Sequence, residues 1–129
     1  MSKLQVGSWI DPVVRYDTAE EMWYLAKDWA IRIGGELIVI AEGFRFDLAS
    51  IPKPLWSVIG PMELSVSAAL IHDWLYQHRG VVEAKALEFS RANADTIFRL
   101  VMKAEEVPAL RRAASWFAVR FFGWLAWRK

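Results

Sequence analysis

In the stretch ALIHDWLYQHRG, residues 69–80, an otherwise apolar run carries His72, Asp73 and Tyr76. A polar group removed from water without a partner costs about 2 kcal/mol or more, so these side chains either satisfy one another or are put to use. Three chemistries fit. A buried hydrogen-bonded network needs only mutual partners. One imidazole with up to three carboxylates suits calcium, magnesium or manganese, and suits zinc less well in a chain with no cysteine. A neutral imidazole oriented by a carboxylate is a competent general base near neutral pH.

The elements that position these groups follow from the pattern. Helices are predicted over about residues 63–78 with Gly80 as the stop, about 91–105 after Ser90 as N-cap, and about 109–127. At about 100° per residue, Tyr76 stands about 40° from His72 and Asp73 about 100° from it. Leu70, Ile71, Trp74 and Leu75 take the far side, and Ala68 and Ala69 beside His72 permit close approach of another element. On the second helix Ala94, Ile97, Phe98 and Val101 form an apolar stripe with Asp95 at its border. The connection of about a dozen residues lets the two helices pair antiparallel. Asp95 can then reach His72 and fix its tautomer, with Tyr76 between them. His78, beside Arg79, reads as a solvated residue favoured by the helix C-terminus.

The first half is β-leaning. MWYLAKDWAIRI is aromatic and β-branched, Gly34 and Gly35 supply a turn, and ELIVIAEGFRF returns with Ile38 and Ile40 alternating against Leu37, Val39 and Ala41. Three prolines in DLASIPKPLWSVIGP exclude regular structure and make an ordered loop. In that loop Asp47 and Ser50 cap and pin the backbone in the structural reading. No linker separates two domains, so residues 1–129 are expected to form one α+β domain. Its expected plan is an N-terminal β-hairpin or small antiparallel sheet packed on a C-terminal bundle of about three helices.

Composition narrows the classes. With 55% hydrophobic residues and eight Trp, the chain is built to fold. The absence of cysteine excludes disulfides, thiolate metal sites and thiol nucleophiles. The opening MSKLQVGSWIDP lacks the apolar core of a signal peptide, and no window of about 18 uncharged apolar residues offers a membrane span. A soluble intracellular product is expected. Charge is uneven: residues 109–129 hold five basic and no acidic residues, although the whole chain is only +1. In that tail Trp116 and Trp124 stand among basic residues such as Arg120. A core helix with a face for a partner protein is the favoured reading, ahead of a membrane-surface helix and a nucleic-acid surface.

The ordered motifs GFRFDLASIP, AALIHDWLY and SRANADTIF, followed by AVRFFGWLAW, resemble a family of short phage and prophage proteins, domain of unknown function 1353. The likeness runs over roughly residues 42–127. It implies a bacteriophage or prophage source, hence the bacterial host cytoplasm or the virion as location, and a shared site drawn from Asp47, Ser50, His72, Asp73, Tyr76 and Asp95. The chain departs from that pattern in a longer charged segment, VVEAKALEF, before SRANAD. Separately, HDWLY is similar to the HDxxY of secreted phospholipases A2. That likeness implies His72 as base, Asp73 as calcium ligand, and Tyr76 and Asp95 as orienters; Asp47 is a separate candidate metal ligand. It lacks the cysteines and the glycine-rich calcium loop of those enzymes. Two function classes result. The favoured one is a virion component, tail-associated, or a host-interaction protein; the alternative is a divalent-metal-dependent hydrolase with His72 as general base.

Overall fold

The computed structural model describes residues 5–46, 65–82 and 87–128. The chain divides into two compact units, Met1–Asp47 and Leu48–Lys129. The first is built of strands and the second of helices with one small hairpin, which is the α+β class expected from the sequence.

In the first unit β1 (Val14–Asp17), β2 (Met22–Leu25) and β5 (Arg45–Phe46) form an antiparallel sheet in the order β1-β2-β5. β3 (Trp29–Ile33) and β4 (Glu36–Ile40) form a separate hairpin with Ile33 opposite Glu36. Its two-residue turn places Gly34 at φ 60° and Gly35 at φ 86°, a twist that matches the flanking strands and that residues with a Cβ resist. Period-two alternation decides the faces. Trp29, Ile31 and Ile33 of β3 and Ile38 and Ile40 of β4 are buried, whereas Val39 is exposed. The expected hairpin is therefore present, but each of its arms is two strands rather than one. MWYLAKDWAIRI breaks at residues 26–28, where Asp28 Oδ1 accepts the Glu42 amide at 2.7 Å. Arg45–Phe46 then pairs with β2 rather than extending β4.

In the second unit α1 (Val66–Gln77) starts later than expected, because Ser65 is its N-cap: the Ser65 hydroxyl accepts the Ala68 amide at 3.0 Å. β6 (Val81–Val82) and β7 (Leu87–Glu88) form an antiparallel hairpin, and α2 (Arg91–Ala104) follows with Ser90 as N-cap. The charged insertion VVEAKALEF thus leaves and returns within this hairpin. Its ends are locked together, since the Phe89 amide donates to the Gly80 carbonyl at 2.8 Å. The two helices are antiparallel: Ser65, at the start of α1, donates to Glu105, at the end of α2, and Tyr76 meets the first turns of α2. The tail is two helices, α3 (Ala109–Phe122) and α4 (Trp124–Arg128), separated at Gly123, rather than one.

Gly80 is the tightest point of the second unit. Its φ is +77°, and a Cβ there would stand 1.8 Å from the Phe89 carbonyl oxygen. Gly35 has a similar φ of +86°, but a Cβ at that position would meet nothing within 4 Å. Gly80→Ala is expected to destabilise the helical unit by more than about 2 kcal/mol, the left-handed penalty plus a clash with backbone. Gly35→Ala should cost only about 1 kcal/mol. Urea unfolding followed at 222 nm checks the pair, and equal losses would refute the close approach at Gly80.

Candidate functional site

α1 is buried around most of its circumference, from Ser67 to Asp73 and at Leu75 and Tyr76. His72 has no exposed surface, and its ring lies 4.2 Å from that of Tyr76 and 4.6 Å from that of Phe98. On the facing helix Asp95 is likewise fully buried. One of its oxygens, Oδ1, accepts from His72 Nε2 at 2.8 Å and from the Tyr76 hydroxyl at 2.5 Å. The other, Oδ2, accepts from Arg120 Nη1 at 2.8 Å, with Arg91 Nη1 at 3.7 Å. The carboxylate therefore joins three helices.

The surroundings hold these groups in place. Arg91, one turn before Asp95 on α2, donates from Nη1 to the Val119 carbonyl and from Nη2 to the Arg120 carbonyl, each at 3.0 Å. A guanidinium at the last carbonyls of α3 is favoured by the helix dipole. Gly123 follows directly, and a Cβ there would be 2.7 Å from the Tyr76 hydroxyl oxygen. Any larger residue would push on Tyr76. The Trp127 ring meets the Tyr76 ring edge to face at 5.2 Å. The break at Gly123 thus lets the end of the chain close over Tyr76.

Electrostatics fix the protonation states. Burial lowers the His72 pKa; the Asp95 hydrogen bond and charge oppose this, and the Arg91 charge adds to it. The ring is neutral near pH 7. Because Asp95 is ionised and can only accept, the ring proton sits on Nε2 and Nδ1 carries the lone pair. Burial pushes the Asp95 carboxyl up, but hydrogen bonds from His72, Tyr76 and Arg120 outweigh it and hold the group below the usual carboxylate range. Burial, then the Asp95 bond and charge, raise the Tyr76 phenol well above its ordinary value, so it stays a donor.

Asp73 is 5% exposed, and its Oδ1 stands 4.0 Å from His72 Nδ1, on the opposite edge of the ring from Asp95. Asp47 and Ser50 lie outside the described residues. Among the described residues no group of three or more His, Cys, Asp or Glu side chains is arranged to hold a metal ion. His78 is exposed, and its Nδ1 donates to the Trp74 carbonyl at 2.8 Å.

The structure thus brings His72, Tyr76 and Asp95 together, with Asp73 beside the ring. Arg120, in the basic aromatic tail, turns its guanidinium to this carboxylate while its side chain stays 30% exposed, because a buried carboxylate needs a cation. Trp116 is half-buried with Arg99 over its ring at 5.9 Å, whereas Trp124 is 46% exposed. Sequence reasoning missed Arg91 and Gly123. The i, i+4 spacing of Arg91 and Asp95 and the lone glycine inside a helical pattern were the available signals.

The family described as Protein of unknown function (DUF1353) matches residues 23–119. No curated protein and no solved structure matches the chain.

The pH dependence of folding follows from these states. His72 has a folded pKa below its unfolded value of about 6.5, so the unfolded chain binds the proton first as pH falls. Its contribution is fully present above about pH 6.5 and is lost as pH drops towards the folded pKa. Asp95, also lowered, adds a second loss that begins below about pH 4. Urea unfolding at pH 7.5 and 5.5 should show wild type losing more stability between the two than His72→Gln does. Equal slopes would mean that His72 is not held neutral.

Proposed function

We propose that this chain, which belongs to the DUF1353 family of proteins of unknown function, is a small bacteriophage or prophage hydrolase with His72 as its general base. The observation that carries the reading is that Asp95 Oδ1 accepts from both His72 Nε2 and Tyr76 Oη. This fixes one tautomer and one ring orientation, and leaves the basic lone pair on the edge that faces Asp73. The likeness of HDWLY to the phospholipase A2 motif assigns the same roles to the same residues, and suggests an ester substrate.

The chemistry uses groups already placed. Nδ1 takes a proton from water as the water oxygen bonds to the ester carbonyl carbon. The imidazolium so formed is stabilised by Asp95, 2.8 Å from Nε2. As the carbonyl–alkoxy bond breaks, Nδ1 returns the proton to the leaving oxygen, giving an acid and an alcohol. Arg91 and Arg120, on the far oxygen of Asp95, keep that carboxylate ionised. Calcium, magnesium or manganese would gather at Asp73 and would polarise the carbonyl. Asp73 alone does not make a metal site, and no step above depends on an ion.

A second reading has its own support: His72 and Asp95 are both without exposed surface, as a purely architectural network would be. In that reading the chain is a virion or host-interaction component that docks another protein.

Hydrolysis of short-chain p-nitrophenyl esters and of dispersed phosphatidylcholine, with each of the three cations or with EDTA, separates the two. Turnover should fall at least about 100-fold in His72→Asn while the helical signal is kept, and the acid limb of the wild type should lie below the ordinary histidine value, because burial lowers the His72 pKa. Turnover unchanged in His72→Asn would sink the hydrolase. Absence of turnover in wild type, with a loss of about 2 to 4 kcal/mol in His72→Ala, would move the assignment to the architectural network.

A further inference from the structure

α3 buries Ser115, Ala118 and Val119 and leaves an apolar face outside. Leu110 is 83% exposed, Phe117 54% and Phe121 69%, and the face continues into α4 with Trp124 and Leu125. At about 100° per residue Leu110, Phe117 and Phe121 fall within about 40° of one another, with Ala113 and Ala114 on either side. Scattered exposed apolar residues are ordinary, but a continuous stripe along about 20 Å of helix is not.

Charge selects what covers it. From residue 107 to the end of the sequence there are basic residues and no acid; Arg120 neutralises buried Asp95, whereas exposed Arg111 flanks the stripe. A second copy laid on the same stripe about a two-fold axis would bring like charge to like. An anionic surface that is apolar just beneath is complementary on both counts, because rings and leucines enter the headgroup boundary while arginines stay with the phosphates. No described helix is long and apolar enough to cross a membrane, so the contact is with the surface. We propose that the Leu110, Phe117, Phe121, Trp124 and Leu125 face of α3 and α4 seats the protein on an anionic lipid surface.

Co-sedimentation of the full chain with vesicles tests this, and reads binding without turnover, so an inactive protein that still binds leaves this inference standing. Vesicles with about 30% phosphatidylserine should bind at least about tenfold more tightly than pure phosphatidylcholine, and about 0.5 M salt should weaken the binding. Phe117→Ser with Phe121→Ser should lose at least about tenfold, and Arg111→Glu should lose the preference for the anionic lipid. Both variants should keep the wild-type far-UV signal, since the altered side chains lie on the surface. Binding that is absent, or unaffected by the phenylalanine changes, overturns the proposal. So does self-association without lipid that disappears in the double variant, which would make the stripe a contact between copies.

Discussion

A single ionised carboxylate with no contact with water organises the helical unit. Asp95 could not be buried alone: the desolvation of an unpaired charge costs several kcal/mol even after the surroundings relax. It is tolerable only because donors converge on both oxygens, His72 and Tyr76 from α1 and Arg120 from α3, with Arg91 close by. Each helix thereby has a fixed angular position about Asp95. Hydrophobic burial of Leu70, Ile71, Phe98 and Val119 supplies cohesion, but apolar packing alone tolerates rotation and sliding of helices. The carboxylate removes that freedom.

The same constraint explains features that look unrelated. Gly123 has to be glycine, because the chain passes so close to Tyr76 that a methyl would meet its hydroxyl. Arg91 bonds to the last carbonyls of α3 while standing one turn from Asp95, so one side chain aligns α2 with α3 and screens the carboxylate. Ser65 and Glu105 tie the far ends of α1 and α2. The β6–β7 hairpin closes on Gly80 and Phe89.

Much of this was legible in the sequence, for physical reasons that also mark the limit. His72 and Tyr76 share a helix face by spacing, and Asp95 borders an apolar stripe, so their meeting follows from periodicity and antiparallel pairing. The Gly34–Gly35 turn and the Ser90 cap follow from local backbone chemistry. Arg120 was not legible as a partner. Its contact depends on where α3 crosses α2, and a basic residue among aromatics has the same local signature on a surface as beside a buried acid. The uneven charge was a clue, since a buried acid in the body of the chain calls for a cation from elsewhere. The separation of β2 from β3 was missed because an aromatic, β-branched run does not show where a strand turns; Asp28, bonding back to Glu42, marks that place.

The two edges of the His72 ring meet different neighbours. A network made only to hold helices together has no need of an imidazole: Asn or Gln could donate to Asp95 without a group that charges when pH falls. The fold retains one, keeps it neutral by burial, and turns its lone pair towards a second acid, Asp73, instead of towards the three-helix junction. Asp73, almost without exposed surface, has its Oδ1 4.0 Å from His72 Nδ1. The two edges of that ring thus differ in their surroundings, with Asp95 setting the orientation on one and Asp73 standing beside the other.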